Sequence, residues 1–136
     1  MHETRLRVRW SDLDPYGHVN HAAYLTFLEH ARIEALESIG WGMGQIERLG
    51  LRVVVARADL RFHRSAVAGD ELVITSAIAE LRPASSRWRQ EVRCRGDLIL
   101  EAEITGACTD LAGRPRRVPP EFQEALRRLR VSDAGG

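Results

Sequence analysis

The sequence predicts an α+β domain, with one strand, one long helix, four further strands and a short terminal helix. Three observations predict it. Residues 4–10 alternate apolar and charged side chains; residues 21–39 repeat apolar side chains at helical spacing; and four strand-like runs between 53 and 109 are separated only by short breaks.

The elements follow in order. In residues 4–10, Leu6, Val8 and Trp10 share one face and Arg5, Arg7 and Arg9 the other, as in a half-buried strand. Pro15 and Gly17 then make Ser11–Asn20 a loop. Asn20 is placed to cap a helix over 21–39. Leu25, Leu28, Ala35 and Ile39 form its apolar face, widened by Tyr24, Phe27 and Ala31, so more than one side is buried. Such a helix is about 28 Å long, enough to cross a small sheet. Gly40 closes it, and 42–49 adds a helical turn.

Residues 53–63 alternate Ala56, Ala58, Leu60 and Phe62 against Arg57, Asp59, Arg61 and His63. Ala68-Gly69-Asp70 marks a turn, and 71–81 is rich in β-branched and small apolar residues. After the break at Arg82–Ser85, residues 86–95 place Trp88, Gln90, Val92 and Cys94 on one face. Gly96-Asp97 signals a hairpin into the strand 98–109. The last three links read as hairpins, which implies an antiparallel sheet with the helix on its concave side. Pro119 and Pro120 open a terminal helix over 119–130. The whole is one domain over residues 1–130, with 131–136 expected to be a disordered tail.

Composition removes several function classes. The net charge of +1 gives no global field toward nucleic acid. No apolar run approaches the roughly 18 residues of a membrane helix, and the first ten residues lack a secretory apolar core, so a cytoplasmic protein is expected. All 20 basic residues are arginine. Without lysine there is no Schiff-base chemistry on a side-chain amine. Cys94 and Cys108 fall on opposite ends of one hairpin, with Cys94 expected opposite about position 99 and Cys108 opposite about 85. They are too far apart for a disulfide and read as small core residues. No cysteine–histidine cluster has zinc spacing, so no metal is expected.

The chemistry concentrates in Asp12-Leu13-Asp14-Pro15-Tyr16-Gly17-His18-Val19-Asn20-His21. Two carboxylates and two imidazoles stand in a loop that runs into a helix start. The free N–H groups and positive dipole end there favour a developing oxyanion. By residue type alone, Asp12 and Asp14 serve equally as turn and capping groups or as reacting carboxylates.

DxDPxGHVNHxxYLxxLExAR, from Asp12 to Arg32, resembles the signature of the 4-hydroxybenzoyl-CoA thioesterase-like family of the hotdog superfamily. The strand–helix–four-strand order and the turn at 68–70 extend the resemblance over the whole chain. It implies a hotdog fold, a five-stranded antiparallel sheet wrapped round the long helix. It also implies a homodimer with a continuous sheet, or a dimer of dimers as a homotetramer, with sites at subunit interfaces. The implied activity is hydrolysis of an acyl-CoA thioester, with coenzyme A part of the substrate and no separate cofactor. Asp14 matches the catalytic carboxylate, acting as nucleophile or as general base toward water. His21 falls where a backbone N–H polarises the thioester carbonyl. Gly17 matches the glycine that admits substrate, and Tyr24 is expected to line the acyl pocket. One departure is Ser65, where the family often carries Pro after the third-strand aromatic, here Phe62.

Other residues are weighed beside these. His18 is read as orienting Asp14 or the substrate, and Asp12 as a structural hydrogen-bonding carboxylate. Glu29 and Arg32, one helical turn apart, are expected to form a buried pair that holds the loop. Arg82, Ser85, Arg87 and Arg89 cluster at the turn before the fourth strand, where the resemblance suggests nucleotide contacts; Arg61 and Arg64 are further phosphate candidates. Two other functions stay open: a hotdog enoyl-CoA hydratase or dehydratase using Asp14 with His18, and a non-catalytic acyl-CoA binding module.

Overall fold

The computed structural model describes residues 1–131; the tail expectation for 132–136 lies outside the described residues. The elements are β1 (His2–Arg7), a 3-10 turn (Trp10–Asp12), α1 (His21–Ser38), α2 (Met43–Arg48), β2 (Leu51–Phe62), β3 (Glu71–Leu81), β4 (Ser85–Cys94), β5 (Asp97–Asp110) and α3 (Pro120–Arg127). The five strands form one sheet in the order β1-β3-β4-β5-β2, and every pair is antiparallel.

That order corrects one expectation. The links β3–β4 and β4–β5 are hairpins, but β2 pairs with β5 at the far edge and returns to β3 across the sheet end. The returning segment is pinned as it crosses. Ile99 O accepts from His63 N at 2.8 Å and Arg64 N at 3.3 Å, and Arg64 Nη1 reaches Asp97 Oδ2 at 3.0 Å. Ser65, where the resemblance expects Pro, lies just beyond these bonds.

Buried residues confirm the inward faces. Leu72, Ile74 and Ile78 of β3, Trp88 and Val92 of β4, and Leu100 and Ile104 of β5 meet Tyr24, Phe27, Leu28, Ala31 and Ala35 of α1 in one core. Asn20 caps α1, its Oδ1 accepting from Ala22 N at 2.8 Å, and Gly40 ends it at φ 82°. Two residues placed inside by periodicity are outside. Leu25 is 45% exposed, and Trp10 is 84% exposed because the chain leaves β1 at Arg7 and turns. A bulge between Val55 and Arg57 resets the alternation of β2, so Val53 and Val55 lie opposite Cys108 and Gly106, and Ala58, Leu60 and Phe62 opposite Ile104, Ala102 and Leu100. Ala56 is therefore the extra residue rather than a member of the inward row.

The hairpin turn is Arg95-Gly96, one residue earlier than read, with φ of 52° and 82°. Two positive φ values suit the right-handed strand twist, and glycine takes its share without strain. Cys94 consequently faces Asp97 rather than a residue near 99. Cys108 N donates to Ala84 O at 2.9 Å at the other end of the hairpin. Ten residues of strand separate the two ends, about 33 Å. Both thiols are buried and free.

Arg95 tolerates its left-handed backbone while its guanidinium holds Asp70 Oδ1 at 2.8 Å. Asp70 is buried, its Oδ2 accepts from Val67 N at 3.0 Å, and its carbonyl accepts from Val8 N at 2.9 Å. One carboxylate thus joins the β4–β5 turn to the crossing segment, while the same residue's backbone holds the end of β1. Asp70→Ala is expected to lower stability by about 2 kcal/mol, since two donors lose their acceptor; equilibrium urea unfolding measures it.

The terminal segment closes the other end. Beyond Ser76, the last β3 residue paired with β1, Ile78 N donates to Leu129 O at 2.7 Å and Val131 N to Ile78 O at 2.9 Å. Phe122 of α3 stacks on Trp41 with ring centroids 4.4 Å apart. Among the described residues, no helix is long and apolar enough to cross a membrane.

Candidate active site

The loop between β1 and α1 is held at its base by a short antiparallel bridge between Leu13 and Val19. Asn20 N donates to Asp12 O at 2.8 Å, and Val19 N to Ala66 O at 2.9 Å, which seats the loop on the crossing segment. Inside it, Asp14 N donates to His18 O at 2.7 Å and Gly17 N to Asp14 O at 3.1 Å. Gly17 adopts φ 79°, a conformation that costs any residue with a Cβ. Gly17→Ala is expected to destabilise the loop by about 1 kcal/mol despite the open space around it. The check is faster amide hydrogen exchange at His18 with core protection unchanged.

Asp14 is half-buried, and its two oxygens differ. Oδ1 accepts the Tyr16 amide at 2.8 Å and the His18 amide at 3.1 Å. Oδ2 has no hydrogen-bond partner among the described residues. The loop therefore fixes the carboxylate through one oxygen and leaves the other uncommitted. Asp12 differs: it is buried, and its Oδ2 accepts from Arg9 N at 2.8 Å, closing the turn ahead of the loop. The reading of Asp12 as structural agrees with that geometry.

His21 is the first residue of α1 and is exposed. Asn20 caps the Ala22 amide, and Ala23 N donates to Asn20 O. The His21 N–H thus stays free, as a first-turn amide has no acceptor within its helix. His18 gives Asp14 its amide, while its exposed imidazole makes no hydrogen bond among the described residues.

Tyr24, expected to line the acyl pocket, sits in the core. It is 3% exposed, its ring 5.8 Å from Phe27 and 5.6 Å from Phe62, and burial pushes its phenol above the usual range. Its ring packs on the end of β2 beneath the loop. The Glu29–Arg32 pair also fails to form. Glu29 is exposed, and Arg32 Nη1 instead donates to Gln90 Oε1 at 2.9 Å. Burial pulls the Arg32 guanidinium below its ordinary pKa, and the Glu29 charge partly offsets this.

The residues proposed for nucleotide contact are not brought to the loop. Arg87 and Arg89 alternate with buried Trp88 and Gln90 and so point out of the opposite face of the sheet. Arg87 meets Glu80 at 3.5 Å and Glu103 at 3.2 Å, and Arg89 lies 3.9 Å from Glu103. Arg82 reaches Glu80 at 3.0 Å, which holds that carboxyl below its usual range. Arg61 shares an outer-face depression with Arg89, and Arg64 is paired with Asp97. Ser85 alone of the group lines the largely apolar cavity described next.

This cavity, of about 360 Å³, lies between the second half of α1, the start of β2, the start of β4 and α3. Its lining includes Arg32, Val55, Ser86, Trp88 and Phe122. Gly106 is part of its wall, where a Cβ would come within 3.2 Å of Val53 Cγ1. The periodicity of β4 carried a signal for this region. Gln90 interrupts an apolar inward row, and a polar residue there needs partners from the facing helix. Among the described residues, no group of three His, Cys, Asp or Glu side chains is arranged to hold a metal ion.

Residues 8–126 match the model of the thioesterase-like superfamily. The long-chain acyl-CoA thioesterase FadM of Escherichia coli is 36% identical over 114 residues, covering 80% of this chain and 83% of that protein. A chloroplastic acyl-acyl carrier protein thioesterase of Arabidopsis thaliana is 30% identical over 136 residues, covering 98% of this chain and 72% of that protein. A Thermus thermophilus thioesterase, solved with coenzyme A and zinc, superposes with a TM-score of 0.81 at 31% identity, covering 93% of this chain and 92% of that one. The five-stranded sheet around α1 is thus the hotdog fold.

Proposed function

The chain belongs to the thioesterase-like superfamily and is a thioester hydrolase; from that premise we propose that it splits acyl-CoA through Asp14. The observation that carries this reading is a carboxylate fixed by one oxygen and open at the other, in the loop that leads into α1 with its uncommitted first amide. The thioester carbonyl oxygen takes the His21 N–H, a donor worth about 2.7–4 kcal/mol in the transition state. Asp14 Oδ2 then acts in one of two ways. It takes a proton from water, whose oxygen attacks the carbonyl carbon. Or it attacks the carbon itself, and water later splits the mixed anhydride. Either way the C–S bond breaks, coenzyme A leaves as its thiolate and a carboxylic acid remains.

The functional unit is a dimer. β2 is an edge strand with one unpaired row of backbone groups, and Val54, Val55 and Phe62 are exposed along it. A second copy fits that edge, because antiparallel pairing of β2 with itself continues the sheet. Self-pairing also exchanges ends. The Phe62 end, joined to the Asp14 loop through Tyr24 and Ala66, comes beside the Val53–Val55 wall of the other copy's cavity. Each cavity is then served by the partner's carboxylate.

A panel of acyl-CoA and acyl-carrier-protein thioesters, followed with a thiol reagent, tests the activity. Hydration of an enoyl-CoA without thiol release would favour the hydratase reading. The unpaired His18 imidazole argues against it, since that chemistry needs an Asp–His side-chain pair. Mixing Asp14→Asn with a cavity-filled Gly106→Leu variant tests the dimer. Active mixtures of two inactive parents support the shared site, because one of the two sites in a mixed dimer keeps both intact parts. Silence in mixtures shown to exchange subunits overturns it.

A further inference from the structure

Arg32 is an unusual wall residue for a largely apolar cavity, whose other polar lining is Glu29, Ser85 and Ser86. Its Nη1 is held by Gln90 Oε1, and Gln90 cannot turn away. That side chain is fully buried, and its Nε2 donates to Leu28 O at 3.0 Å and Ser76 Oγ at 2.9 Å. One edge of the guanidinium is thereby fixed to the sheet. Its other N–H groups have no acceptor among the described residues, and no carboxylate lies within ion-pair distance of it. Glu29, one turn earlier, shares the cavity but stays exposed rather than closing onto Arg32. Withdrawing a guanidinium from water is unfavourable unless acceptors replace the lost hydration. A rigid fork with free donors, set in a largely apolar chamber, matches an oxygen acceptor and suits a carboxylate bidentately.

We propose that Arg32 is a specificity-determining residue, and that the cavity takes acyl groups bearing a second oxygen acceptor, a carboxylate or hydroxyl, remote from the thioester. This rests on the acyl-thioester reading above and names its substrate class. Trp88 and Phe122 enclose the carbon chain, and the free N–H groups of Arg32 meet its polar end.

The test compares hexanoyl-CoA, 6-hydroxyhexanoyl-CoA and adipoyl-CoA, three substrates of equal chain length. The wild type is expected to favour at least one oxygen-bearing substrate by about tenfold or more in kcat/KM, the scale of a charge-assisted hydrogen bond. The hydroxyl and carboxylate arms tell which acceptor it reads. Arg32→Met should abolish the preference while hexanoyl-CoA turnover stays within about threefold. A wild type that prefers hexanoyl-CoA, or a variant that slows all three equally, overturns the proposal. Should Arg32→Met not fold, the wild-type ranking decides, and Arg32→Lys, which keeps the charge but loses the fork, should reduce the preference. If no thioester is cleaved, the hydrolase reading fails separately. Calorimetry with free adipate, 6-hydroxyhexanoate and hexanoate then decides: tighter binding of either oxygen-bearing acid supports the role of Arg32, and equal or weaker binding refutes it.

Discussion

Asp14→Asn is expected to lower kcat for the preferred acyl-CoA by about 10²–10⁴-fold, the range for loss of a positioned base. The amide is nearly isosteric. Its oxygen can still accept the Tyr16 and His18 amides, so the loop and the fold should hold. KM should move little, because Asp14 grips no remote part of the substrate. The measurement is steady-state thiol release beside a thermal melt of each protein. A melt within about 2 °C of wild type with turnover lost places the effect in chemistry. Retained turnover would mean that the loop carboxylate is only a turn residue. Single turnover in heavy-oxygen water separates the two routes. Label in the Asp14 carboxylate marks an anhydride, and label only in the released acid marks attack by water.

The largest stability effect away from the loop is expected at Gln90. Gln90→Ala removes the acceptor of Arg32 and the donor to Leu28 O and Ser76 Oγ, and leaves a void at the centre of the sheet. Unsatisfied partners and the cavity together should cost about 3 kcal/mol. For a chain of this size the melting temperature should fall by about 10 °C. Gln90→Leu fills the void but restores no hydrogen bond, so it should recover only part of the loss. Full recovery would show the polar network to be dispensable.

Local chemistry made most elements legible before any coordinates. The β-branched run of β3, the period-two runs of β4 and β5, the Asn20 cap and the Gly40 stop all appear where the residues placed them. The partner of β2 was not legible, because alternation sets which face is buried and not which strand lies alongside. Leu25 and Trp10 misled for a related reason: an apolar side chain can sit at a surface, and exposure depends on where the strand ends and what covers the helix. The carboxylate loop was legible as a cluster. Motif resemblance singled out Asp14, and geometry added the difference between its two oxygens. Arg32 was misassigned to Glu29, its neighbour on the helix. Its actual partner comes from β4, which only tertiary packing brings near.

The crossing of β2 to the far edge has a kinetic consequence. β3, β4 and β5 are joined by short hairpins and can pair as soon as they collapse. β2 must wait for β5, the last strand to be made, and β1 must find β3 across the intervening helix. Non-local pairings of this kind close late, since loop entropy is spent before any contact returns it. The loop that carries Asp14 hangs between β1 and α1 and rests on the segment that leaves β2. It is therefore among the last parts to take shape, and refolding followed by activity should lag behind refolding followed by tryptophan fluorescence in a variant that keeps only Trp88, at the sheet centre, of the three tryptophans.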